Sequence, residues 1–102
     1  MSRPHYAWWG YAKDVIRRYP SMRGKHLAGV AKREHDAVQA AIEQTQRMRG
    51  GHERLKIVDL VFWQCTHDLS GAALQVPCSE RTAQQWHADF IKAVARNFGL
   101  LD

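Results

Sequence analysis

The stretch from Asp68 to Val94, DLSGAALQVPCSERTAQQWHADFIKAV, leaves few folds open, because it holds two helical patterns joined by a turn too short to let them part. Leu69, Ala72 and Ala73 recur at i, i+3 and i+4 and define one apolar stripe. Thr66 or Asp68 can cap this first helix, since either side chain carries an oxygen that accepts from the free N–H groups of an opening turn. Val76-Pro77-Cys78 ends it, because Pro77 lacks an N–H and drives Val76 out of the α region. Ser79 restarts the chain as an N-cap that accepts from Arg81 or Thr82, with Glu80 where negative charge suits the helix dipole. Ala83, Trp86, Phe90, Val94 and Phe98 then step by three or four along a longer helix that Gly99 can close.

The opposite edge of that second helix carries Arg81, Gln84, Gln85, Ala88 and Lys92. Arg pairs bidentately with guanine and Gln with adenine, and a small Ala88 allows close approach to a groove. The pattern therefore reads as a helix-turn-helix with Arg81, Gln84 and Gln85 on base edges, Ser79 and Thr82 on backbone phosphate, and Lys92 along the flanking strand. Gly71, Ala72 and Ala73 permit the tight helix contact such a motif needs. A plain helical hairpin is the competing reading, and the polar N-terminal edge, to which a bundle is indifferent, weighs against it. The reading requires that the flank beginning at Ser79 stay open and uncovered by the N-terminal third.

LSGAALQVPCSERTAQQWHADFIKAVARNFGL resembles the C-terminal helix-turn-helix of sigma-factor region 4, and more closely the phage late-gene transcriptional regulators of the RinA and ArpU type. The likeness is carried by Leu69, Ala72, Ala73, Leu74 and Val76, then by Ser79, Arg81, Thr82 and Trp86, and spans the chain from Arg54 onward. The opening YAWWGYAKDVIRRYP is also similar to the start of small prophage-encoded proteins of this kind. The resemblance implies a transcriptional regulator in a phage, a prophage or the infected bacterial cell, with double-stranded DNA as partner.

A chain of 102 residues has room for one modest core, so residues 1–102 are expected to form a single domain. Within it, 1–50 supply basic N-terminal helices and 52–102 the sigma-like unit. A composition of 45% hydrophobic and 25% charged residues is that of a globular chain. No apolar run approaches a membrane span or a signal peptide, which gives a cytoplasmic expectation with no membrane partner. The net charge of +5 is unevenly spread: residues 1–33 hold eight basic residues against Asp14 alone, whereas 34–102 hold seven against nine acidic ones. A positive field confined to one third of the chain favours a polyanion, and Arg17 and Arg18 are the expected phosphate contacts.

Taken in order, His5 to Tyr19 reads as a first helix, with Pro4 near its start and Pro20 stopping it. Trp8 and Trp9 are expected to cement it to the core. After the connector Pro20–Gly24, Lys25 to Met48 gives the longest helical pattern, with Leu27, Val30, Ala31, Val38, Ala41, Ile42, Thr45 and Met48 on one side and the charged cluster 32–36 interrupting it. Its far half is expected to project and to offer a surface for a homodimer. Gly50 and Gly51 let the chain reverse, and Glu53 to Cys65 is a strongly apolar core helix. The tail leucines, Leu100 and Leu101, are expected to tuck back against it. The fold expected is all-α, a small bundle of about five helices.

Nothing in the pattern points to catalysis or to a cofactor. The histidines at 5, 26, 35, 52, 67 and 87 are scattered, and there is no glycine-rich phosphate loop and no carboxylate pair beside a histidine on one helical face. Cys65, His67, Cys78 and His87 carry metal-binding atoms, but their spacing matches no standard zinc site, and buried free thiols are expected. The alternative function is a protein-interaction module that binds RNA polymerase or another phage or host protein, and could act as its inhibitor.

Overall fold

The computed structural model describes residues 7–65, 67–76 and 78–100. The sequence expectations at Pro4, His5, Thr66, Pro77 and Leu101 lie outside them. Five α-helices follow one another, α1 (Trp9–Met22), α2 (Gly29–Gln46), α3 (Gly51–Val58), α4 (Leu69–Gln75) and α5 (Glu80–Phe98), and α3 runs on into one π-helical turn, Asp59–Trp63. The described residues contain no strand, so the all-α expectation holds.

Pro20 does not stop the first helix as expected; α1 continues through it to Met22. A proline in a helix leaves the carbonyl four residues earlier without its N–H partner. Here that carbonyl belongs to Ile16, and the indole N–H of Trp63 donates to it at 2.8 Å. The π turn that carries Trp63 shifts the register of the side chains that follow α3. The expected uninterrupted helix Glu53–Cys65 is thus an α segment and a π turn, closed by Cys65 in the left-handed region at φ 55°.

The second helix is shorter than the expected Lys25–Met48, and its inner face is different. Gly29, at φ 63°, stands at its start, and Leu27 precedes it. Val30 is 58% exposed, whereas Glu34, from the middle of the charged cluster, is buried at 5% among Ala37, Val38 and Ala41. Burial is tolerable because Glu34 accepts hydrogen bonds from the Tyr11 hydroxyl and from both terminal nitrogens of Arg18. No half of α2 projects: it lies along α5 to its end, where Gln44 and Asn97 exchange hydrogen bonds.

Two cores share α3 and α5. The larger gathers Val15 and Ile16 of α1, Val38 and Ala41 of α2, Val58 and Phe62, and Phe90, Ile91 and Val94 of α5, with Trp8, Trp9 and Trp63 packed at its edge. The smaller holds α4 down: Ala72, Ala73 and Val76 meet Ile57, Leu60 and Ala83. α3 and its π turn therefore support the α4–α5 pair. At the chain's end, Gly99 takes φ 95° and the Leu100 N–H closes on Ala95 O at 2.8 Å, but the Leu100 side chain does not tuck in as expected and stays partly exposed.

Candidate nucleic-acid interface

The α4–α5 pair is built by local chemistry. Asp68 caps α4 by accepting from the Gly71 N–H at 2.8 Å, and Ser79 caps α5 by accepting from the Thr82 N–H at 3.0 Å. The two caps are tied together, since Ser70 of α4 donates to the Glu80 carboxylate at the first turn of α5. Ala83, Phe90, Ile91, Val94 and Ala95 are buried, so α5 presents the face opposite them. Ile91 and Ala95 widen the buried seam beyond the expected one because α5 packs against both α1 and α2.

Ser79, Arg81 and Gln85 are exposed, and Thr82, Gln84, Ala88 and Lys92 are half-buried. Arg81, Gln85, Lys92 and Arg96 stand at near-fourfold spacing along the exposed face. Gln85 is not idle: its amide donates to Asp89 at 2.8 Å, and Asp89 meets Arg54 at 3.4 Å. Arg54 in turn lies 5.5 Å from the Trp86 ring. Asp89 therefore sets a carboxylate beside Gln85, as Glu80 does beside Arg81 at the start of the helix.

Of the two arginines expected from α1, only Arg17 reaches this side. It is exposed, lies 5.8 Å from the Phe62 ring and lines, with Lys13, a groove opposite Gln84 and Ala88. Gln84 thus faces α1 across open space and is not sealed by it. Arg18 points elsewhere: it pairs with Asp14 at 2.9 Å and with Glu34 at 3.1 Å. These hydrogen bonds, Glu34 first, hold its guanidinium pKa above the usual value. Burial raises the Glu34 carboxyl, and the hydrogen bonds from Arg18 and Tyr11 outweigh it, so its pKa sits below the ordinary value.

Part of the positive charge of the N-terminal third is held by contacts within the fold. Besides Arg18, Lys32 pairs with Asp36 at 3.0 Å, and Arg33 covers the Phe98 ring at 4.7 Å. Arg54 and Arg96 were missed as members of the α5 surface. Arg96, four residues after Lys92, could have been found by its spacing, while Arg54 reaches Asp89 from 35 positions away.

Among the described residues, no three His, Cys, Asp or Glu side chains gather in a way that could hold a metal. Both cysteines are free thiols, but neither is buried as expected: Cys65 is exposed in the connector that follows the π turn, and Cys78 is half-buried ahead of α5. His87 stacks on Phe62, their centroids 4.9 Å apart and their planes within 2°. No helix of the described residues is long and apolar enough to cross a membrane. Comparison with protein-family models, with curated proteins and with solved structures finds no match.

Proposed function

We propose that the protein binds double-stranded DNA and reads its sequence with the exposed edge of α5, as a transcriptional regulator of the phage or prophage kind. The observation that carries this reading is the α5 surface itself. Its first turns put Arg81 and Gln85 in solvent, with Gln84 beside them, on a helix whose N-terminus is capped by Ser79, which accepts from the Thr82 N–H and donates to the Thr82 hydroxyl. Arg17 flanks that edge from α1, where a neighbouring phosphate would lie. In this reading Arg81, Gln84 and Gln85 meet base edges, Ser79, Thr82 and Lys92 meet the backbone, and Gln85 exchanges Asp89 for a base. Arg18, engaged with Glu34 and Asp14, steadies α1 against α2 and makes no phosphate contact.

The alternative reading is a protein-interaction module that binds a partner such as RNA polymerase. Leu74 on α4 is 84% exposed, but a lone apolar side chain is ordinary on a protein surface and does not favour that reading. Selection of bound duplexes from a random pool, followed by a salt series on the selected site, tests the two. A DNA reader enriches a defined site and weakens steeply as salt rises. Arg81→Ala and Gln85→Ala each cost about 1–3 kcal/mol on that site and relax its sequence, and Arg17→Ala lowers the salt slope by about one. Failure to enrich any site, with affinity indifferent to these changes, would leave the protein-interaction reading.

A further inference from the structure

Asp89 stands on α5 among the residues proposed to read DNA, one turn after Gln85 and three residues before Lys92. A carboxylate in that place opposes a polyanion, so the group that compensates it matters to the whole edge. Its two oxygens have separate partners: Oδ1 accepts from the Gln85 amide at 2.8 Å, and Oδ2 accepts from Arg54 Nη1 at 3.4 Å. Lys92 makes no ion pair with it among the described residues. Glu80, the other carboxylate of this edge, sits in the first turn of α5, where the helix dipole favours negative charge, and takes a hydrogen bond from Ser70.

Arg54 belongs to α3, and three contacts fix its side chain. Nε donates to the Arg49 carbonyl at 3.3 Å, in the reversal that precedes α3, Nη1 donates to Asp89, and the guanidinium lies 5.5 Å from the Trp86 ring. The Arg54 side chain is 20% exposed, against 36% for Asp89, so the cation is less open to a duplex than the carboxylate it compensates. A half-exposed pair of this kind contributes little to stability in water. Against a phosphate backbone the balance differs, because the water that screens a lone carboxylate is displaced and like charges meet at close range.

We infer that Arg54 is a positioning residue of the DNA edge that acts through Asp89: it keeps the carboxylate compensated, so that Gln85 can release Oδ1 and turn to a base. The inference rests on the DNA reading proposed above. Without Arg54, the Gln85 amide is the partner left to Asp89, and reading a base strands a bare carboxylate beside phosphate. The competing role for Arg54 is a phosphate contact of its own. The two roles differ in whether removing the Asp89 charge restores what the loss of Arg54 takes away.

The test is a double-mutant cycle on the full chain, with a fluorescent duplex carrying the selected site as the probe and anisotropy measured across a salt series. Arg54→Met keeps an apolar chain against Trp86 and removes the charge. It should weaken binding about tenfold while Asp89 is in place. Combined with Asp89→Asn, it should return to within about twofold of the unaltered protein, with the same slope of log affinity against log salt. The inference alone is overturned if Arg54→Met binds as tightly as the unaltered protein, or if the double variant stays weak. A double variant that is weak and has lost about one from its salt slope identifies a direct phosphate contact instead. If no duplex is enriched or bound by the unaltered protein, the DNA reading falls and this inference falls with it. Urea unfolding checks that each variant is folded, and Arg54→Gln carries the same cycle should Arg54→Met fail to fold.

Discussion

Pro20 is held inside α1 by a side chain 47 positions away, the Trp63 indole that donates to the carbonyl of Ile16. Trp63→Phe keeps a ring in place but orphans that carbonyl, and should cost about 1–3 kcal/mol in urea unfolding. Pro20→Ala returns a backbone N–H to the same oxygen, so the Trp63→Phe cost should shrink in that background; equal cost in both would refute the pairing. This explains why the local rule misjudged the helix end. A proline announces a missing donor, but nothing near it in the chain announces the donor that replaces it. His87 gives a second residue-scale expectation. Its pKa falls from 6.5 to about 4 on folding, so below pH 6.5 the unfolded chain takes up a proton that the native protein refuses. Stability conferred by the neutral ring is complete above pH 6.5 and drains as pH falls toward 4, by at most on the order of 3 kcal/mol. Urea midpoints between pH 7 and 4.5 should decline accordingly, and His87→Phe, which preserves a ring on Phe62, should flatten the decline.

At the scale of elements, what was legible is what local chemistry determines. α4 and α5 begin at Asp68 and Ser79 because each cap is satisfied by a backbone N–H three residues on, and α5 ends at Gly99 because that residue enters the left-handed region. The inner face of α2 was not legible. Glu34 looks like surface until Tyr11 and Arg18, from a different helix, are seen to satisfy it. The reversal between α2 and α3 was readable from its two glycines, but for two different reasons. Gly50 takes φ 70°, whereas Gly51 needs its missing side chain: a Cβ there would stand 2.3 Å from Thr45 O and 2.9 Å from Gln46 O. Both obstacles are backbone, so Gly51→Ala must pry α2 and α3 apart. A loss of about 1–3 kcal/mol is expected in thermal or urea unfolding, and an unchanged midpoint would contradict the tight turn.

Across the whole molecule, the candidate site was half legible. Arg81, Gln84, Gln85 and Lys92 follow from the period of one helix, whereas the groove facing Arg17 depends on how α1 lies against α5. Within a single domain, the sequence suggests two parts, basic N-terminal helices over 1–50 and a C-terminal part over 52–102. The larger core runs through both, because Phe90, Ile91 and Val94 of α5 pack with Val15 and Ile16 of α1 and Val38 and Ala41 of α2. A fragment spanning 52–102 would expose that seam, and its amide spectrum should lack the dispersion of the intact chain. A well-dispersed fragment would mean that the smaller core around Ile57 and Ala83 suffices. α5 is thus anchor and fingertip at once, with no hinge between them. Any twist that a partner imposes on its outer edge is felt directly by the residues that knit the molecule together, so substitutions that loosen the interior should blunt recognition well before they melt the protein.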